Sequence, residues 1–154
     1  RRVALWDDWR RAQVTVLVEQ LSQELQQRGG RPVFSVAVGA DAEDAVTNRL
    51  QDWPNWVERR LVDAVVLMAY SADTERVAAH VQHAGMLGEK ADVPVYAGIG
   101  AYLFEGDAEL LVQQLAVVRT AEVAGVAVFS LDTLLEQVHL REALRDAWLD
   151  DGPQ

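Results

Sequence analysis

Leu61–Ser71 reads LVDAVVLMAYS, an apolar run that turns polar at Ser71 and again at Asp73. A run of this length and composition predicts a strand buried on both faces, with any site opening at its polar end. Similar runs stand at Pro32–Gly39 (PVFSVAVG), Pro94–Gly100 (PVYAGIG) and Gly125–Ser130 (GVAVFS), each followed by a polar turn and a helix-like segment. The spacing is about thirty residues each time, the length of one strand-plus-helix unit. Four βα units are therefore expected, with a helix ahead of them.

That leading helix is expected over Asp7–Arg28, where Val14, Leu17, Val18, Leu21 and Leu25 follow helical spacing, Asp7 and Asp8 sit at the positive end and Gly29-Gly30 is the stop. Between the first two strands, Pro54 predicts two short helices rather than one, with Trp53 and Trp56 on a shared face. Asp73-Thr74 predicts a capped helix through Val77, Val81 and Ala84 that ends near Gly85 or Gly88. Ala101–Gly106 reads as a loop, Asp107–Ala121 as a helix, and Asp132 leads into a last helix reaching Leu149. The pairs Trp6/Trp9 and Trp53/Trp56 stand at helical spacing, which predicts packing against the core.

Alternating strands and helices predict a parallel sheet with right-handed crossovers. Two architectures fit: part of a closed (βα)8 TIM barrel, of which four units are the C-terminal half, or a small open doubly wound sheet. Residues 1–149 read as one domain and 150–154 as a frayed tail. In either architecture the site lies at the carboxyl ends of the strands, so the residues that matter are those just after each run.

The composition is that of an ordinary globular chain: 154 residues, half of them apolar and 25% charged, with no apolar stretch long enough to span a membrane. Zero cysteines exclude disulfides and thiolate metal sites. A formal net charge of −10 argues against nucleic acid or an anionic membrane surface as partner, since both require a basic face.

Four segments carry a resemblance: WDDWRRAQVTVLVEQL (Trp6–Leu21), QDWPNWVERRLVDAVVLMAY (Gln51–Tyr70), VPVYAGIGAYL (Val93–Leu103) and GVAVFS (Gly125–Ser130). In this order they resemble the C-terminal half of the family 10-like glycosyl hydrolase domain, a (βα)8 barrel of bacterial cell-envelope and secreted proteins. The resemblance runs from about Leu5 to Leu134, and Gln51-Asp52-Trp53, Trp56, Val62-Asp63 and Met68-x-Tyr70 are its most specific part. It implies a glycoside hydrolase acting on a polysaccharide or cell-envelope glycan, an extracytoplasmic location and no cofactor. The family's N-terminal half, whose fourth strand carries an aspartate, has no counterpart here. The resemblance thus implies that the missing half of the barrel is this chain's partner.

Glycoside hydrolysis generally uses two carboxyl groups, one protonating the leaving oxygen and one acting as nucleophile or base. An acid follows each strand here: Asp41, Asp73, Glu105 and Asp132. Asp73 and Asp132 stand where helix caps are expected, whereas Asp41 and Glu105 read as freer loop acids. Glu105, after the glycine-bearing strand end, is the first catalytic candidate and Asp41 the second. Tyr70 and Tyr102 follow strands and suit stacking on a sugar ring, and Met68 lines the same mouth or fills the barrel. Ser130 either donates to a ligand or turns to the backbone. With Asp73 and Asp132 these form the expected substrate-binding set. The alternative is a barrel that binds a glycan without cleaving it.

Other chemistries find no pattern. His80 and His83 stand three apart without the His-Glu-x-x-His spacing of a zinc hydrolase, Gly98-Ile-Gly100 lacks the third glycine of a dinucleotide fingerprint, and neither a nucleophile elbow nor a P-loop occurs.

Overall fold

In a computed structural model the backbone is described for residues 2–30 and 32–149 and the side chains for 5–30 and 32–147. The expected tail, 150–154, lies outside the described residues. Elements follow in the order α1 (Arg2–Gln27), β1 (Ser35–Gly39), α2 (Ala42–Thr47), α3 (Trp53–Glu58), β2 (Ala64–Met68), α4 (Thr74–Ala91) and β3 (Val95–Gly100). A 3₁₀ turn at Ala101–Leu103 then leads to α5 (Ala108–Thr120), β4 (Gly125–Phe129), α6 (Leu131–Glu136) and α7 (Val138–Leu149).

The four strands form one parallel sheet in the order β1-β2-β3-β4. That order decides between the two expected architectures. A doubly wound sheet reverses its strand order at a switch point and so carries helices on both faces. Here the order never reverses, and right-handed crossovers stack every helix on one face, as in a (βα)8 barrel. Register and burial agree. Val38, Leu67, Ala97 and Ile99 point to one face and are buried among the helices, whereas Ser35 and Ala37 on the other face are exposed and Val66, Met68 and Tyr96 half-buried. The fold is four consecutive units of a βα barrel, with the inward face open.

Several elements differ from expectation for identifiable reasons. α1 starts before Asp7 and Asp8, which are not its cap but pair with Arg10 and Arg11 one turn on. Pro54 does not interrupt a helix; it stands in the first turn of α3, where a missing N–H costs nothing, and the break lies ahead of it. Gly85 and Gly88 do not end α4, which continues to a left-handed Asp92. They are points of close approach, since a Cβ would come within 2.7 Å of the Glu122 carbonyl at Gly85 and within 2.6 Å of the Val93 carbonyl at Gly88. The last helix is broken at Gln137 into α6 and α7.

The tryptophan pairs part company. Trp53 and Trp56 are buried under α3 as expected, but Trp6 and Trp9 are more than half exposed and stack on each other at 5.0 Å between ring centroids. α1 turns Thr15, Val18 and Ser22 inward, which leaves Trp6, Trp9, Leu17 and Leu21 on its outer side. No helix among the described residues is long and apolar enough to cross a membrane.

Candidate active site

The connection after each strand of the sheet holds a residue that caps the next helix. Asp41 accepts the Asp44 N–H at 3.0 Å, Asp73 that of Arg76 at 3.1 Å, Asp107 that of Leu110 at 3.0 Å and Ser130 that of Thr133 at 3.4 Å. These bonds satisfy helix N–H groups that have no partner within the helix. Asp73 is thus a cap as its position predicts. Asp41, expected to be free, is also one. At the fourth turn the cap is Ser130 and not Asp132, which lies exposed in the first turn of α6.

Between the carboxyl ends of β1 and β2 lies a cavity of about 240 Å³, lined by Asp41, Asp44 and Arg49 from the first βα unit and by Met68, Tyr70, Ser71, Arg76 and His80 from the second. Its floor is set by small residues and held by buried amides. The Gly39 N–H donates to Gln51 Oε1 at 3.0 Å, and a Cβ on Gly39 would come within 3.1 Å of Arg49 Cδ, so the glycine leaves room for the arginine to cross the strand end. On the other wall Gln114 of α5, fully buried, donates to the Ser71 carbonyl at 2.8 Å and fixes the turn that carries Ser71 and Asp73.

The two carboxylates of the cavity are in different situations. Asp44 accepts from Arg49 Nε at 2.7 Å and from Asn48 Nδ2 at 2.9 Å. The Arg49 bond, followed by that of Asn48, holds its carboxyl below the usual range, so it is an acceptor at neutral pH and not a proton donor. Asp41 keeps Oδ2 clear of its capping bond, and His80 Nε2 stands 3.8 Å from it.

Beside the cavity, and sharing Tyr70 with it, is an aromatic surface over β2, β3 and β4. Tyr70 meets Tyr102 edge-on at 5.9 Å and Phe129 at 5.4 Å between centroids. A Cβ on Gly100 would come within 3.2 Å of Tyr70, so the ring lies directly on the backbone of β3. Burial, with a smaller contribution from Tyr102, raises the Tyr70 hydroxyl above its ordinary value and keeps it a hydrogen-bond donor. Tyr102 and Phe129 are 49% and 42% exposed, an apolar surface of the kind on which a sugar ring stacks.

The expected site residues are thus distributed. Met68, Tyr70 and Asp41 come together at the cavity; Tyr102 lies on the aromatic surface; Asp73 and Ser130 cap helices at the rim; Glu105 is exposed in the β3–α5 connection, with left-handed backbone (φ 50°), and is not among the residues that line the cavity. Arg49, Arg76, His80 and Phe129 were not anticipated as site residues. Asp73, Arg76 and His80 at i, i+3 and i+7 share one helix face, the available signal for two of them. Among the described residues no group of three or more His, Asp or Glu is placed to hold a metal.

Of the most specific sequence motifs that carry the family resemblance, Met68-x-Tyr70 reaches the site and the others are structural. Gln51 holds the end of β1, Trp53 and Trp56 fill the core, and Asp63 accepts the Phe34 N–H at 2.8 Å, steering the chain into β1. Comparison with curated proteins and with solved structures returned no match. The profile of the family described as glycosyl hydrolase-like 10 matches residues 1–108, from α1 to the start of α5, and so stops short of the Leu134 to which the resemblance was expected to run. With more than two thirds of its length matched and four parallel βα units in barrel order, the chain belongs to the glycosyl hydrolase-like 10 family.

Proposed function

We propose that this chain is the C-terminal half of a glycoside hydrolase barrel that acts on a polysaccharide or cell-envelope glycan outside the cytoplasm. The observation that carries the reading is the continuity, through Tyr70, of an exposed aromatic surface with a polar cavity at the carboxyl ends of the strands. A sugar chain presents both complements: apolar ring faces for Tyr102 and Phe129, and hydroxyls for Asp41, Ser71 and His80. Asp41 is the carboxylate this half brings to the reaction, with Glu105 as the alternative. Its counterpart, about 5 to 9.5 Å away across the scissile bond, comes from the other four βα units of the barrel.

A second reading, a barrel that binds glycan without cleaving it, is favoured by one observation: Asp44 is tied to Arg49 and Asp41 is engaged as a cap. Asp41→Asn in the full-length protein separates the readings, because asparagine caps a helix equally well. Hydrolysis of a glycan substrate is expected to fall by on the order of 10²-fold or more with the helix intact. Undiminished turnover in Asp41→Asn, with a loss in Glu105→Gln instead, moves the catalytic role to Glu105. Full turnover in both variants refutes a catalytic carboxylate in this half.

A further inference from the structure

The polar groups of the β1–β2 cavity are unequally committed. Its acceptors are largely used: Asp44 is held by Arg49 and Asn48, and one oxygen of Asp41 is spent on the α2 N-terminus. Its donors are not. Among the described residues Arg76 makes no side-chain hydrogen bond or ion pair, although its guanidinium faces Asp44 closely enough to act on it through space. Among the described residues Arg49 bonds through Nε alone, and its two terminal nitrogens meet no protein acceptor there. The Ser71 hydroxyl accepts the Asp73 N–H at 3.0 Å and so keeps its own proton to give. Arg76, the terminal nitrogens of Arg49 and the Ser71 hydroxyl thus open on one cavity from two successive βα units, and among the described residues none of these donors is spent on a protein acceptor.

We propose that this cavity is the subsite for a carboxylate carried by a sugar unit, with Arg76 as its cationic anchor and Arg49 as the second donor. The inference rests on the glycan reading above and names the substrate class. A planar guanidinium matches a carboxylate with two parallel hydrogen bonds, and such charge-assisted bonds are the strongest available to a partly exposed site. Tyr70, shared with the aromatic surface, places the anion on a ring whose neighbour stacks on Tyr102. The chain's net charge of −10 acts mostly from beyond the screening length of about 8 Å. Of the two carboxylates in the cavity Asp44 is already paired with Arg49, so Asp41 is the one local charge against which Arg76 must hold the anion.

The test is titration calorimetry on the full-length protein with two acidic probes and their neutral methyl esters. One is tetragalacturonate, which carries its carboxylate on the ring; the other is an oligosaccharide that carries it on a lactyl ether arm. Either acid is expected to bind about tenfold or more tightly than its ester, and the stronger of the two identifies the source of the carboxylate. Arg76→Gln is expected to abolish the preference while leaving ester affinity within about twofold, and Arg76→Lys to restore part of it. Near-UV circular dichroism confirms that the variants are folded. Equal binding of acid and ester, or a preference that survives in Arg76→Gln, overturns the inference and leaves the glycan reading standing. No binding of either form, nor of neutral cello- or chito-oligosaccharides, overturns both.

Discussion

Trp56 donates its indole N–H to the Thr15 hydroxyl at 3.0 Å, a buried bond between residues 41 positions apart. With Arg11 donating to the Val46 carbonyl at 3.0 Å and Arg59 paired with Glu19, it adds polar contacts between α1 and the α2–α3 segment to the apolar packing of Val14 and Val18. Thr15→Val keeps the volume but strands the indole N–H, and is expected to cost about 1 to 3 kcal/mol in chemical denaturation. Adding Trp56→Phe removes the stranded donor. The double variant should therefore lose less than the sum of the single ones.

The glycines of β3 make two separable predictions. A Cβ on Gly98 would stand 2.6 Å from the Leu67 carbonyl, backbone that cannot yield without moving β2. Gly98→Ala is expected to lose roughly 1 to 3 kcal/mol of stability. Gly100→Ala instead meets ring atoms, Tyr102 Cε1 at 3.2 Å and Tyr70 Cδ1 at 3.3 Å, which can turn aside, together with Tyr70 Cβ at 3.2 Å. It should displace the rings, and so lower glycan affinity more than it lowers the denaturation midpoint.

Tyr102 is half exposed, with Tyr70 its ring neighbour. Tyr102→Ala is expected to leave stability within about 0.5 kcal/mol of the parent. Its glycan affinity should fall roughly three- to tenfold, as measured by calorimetry with the acidic probe. A variant that unfolds early but binds normally would make Tyr102 a packing residue.

Glu89 of α4 and Glu122, ahead of β4, lie side by side, and Glu122 is raised above its ordinary value of 4.5, first by its hydrogen bond to Glu89 and then by that group's charge. A carboxyl raised on folding adds stability below its unfolded value and loses that contribution as pH rises through the folded one. Glu122→Gln keeps a donor for Glu89 without the titrating group, so its melting temperature relative to the parent should rise as pH climbs from below 4.5 through the raised folded value of Glu122 and then level off. A difference that does not change with pH would show that the two groups do not share a proton.

The sheet was legible because four strands buried on the helix-covered face must be written in apolar residues, and because the chain has to turn polar where they end. The caps were legible in position but not in identity. Nothing in Ser130-Leu131-Asp132 says which side chain turns back to the Thr133 N–H; that depends on where the strand releases the backbone. Gly85 and Gly88 read as a helix stop because local sequence cannot show that the Glu122 and Val93 carbonyls crowd them from other elements. Trp6 and Trp9 misled for the converse reason. Helical spacing says that two residues share a face, and only the packing of α3 on α1 says which face is covered. Arg76 and His80 were hidden because a cavity-lining polar side chain on a helix looks in sequence like any solvated surface residue. Their common role emerges only when Arg49, from another unit, is brought opposite.

The strand order has a consequence for how the molecule is made. Each strand pairs with the one synthesised just before it, and no connection has to pass over a later one. Every loop closure spans only about thirty residues, a local pairing for a parallel sheet. A nascent chain can therefore add one strand and its helix at a time to an edge that already exists, in the order in which the ribosome delivers them. β4 is the last of these four strands to appear, and with it Phe129 joins Tyr70 and Tyr102. The aromatic surface is therefore completed after the cavity, so a chain growing through these units carries the donors of the cavity before it has the whole platform beside them.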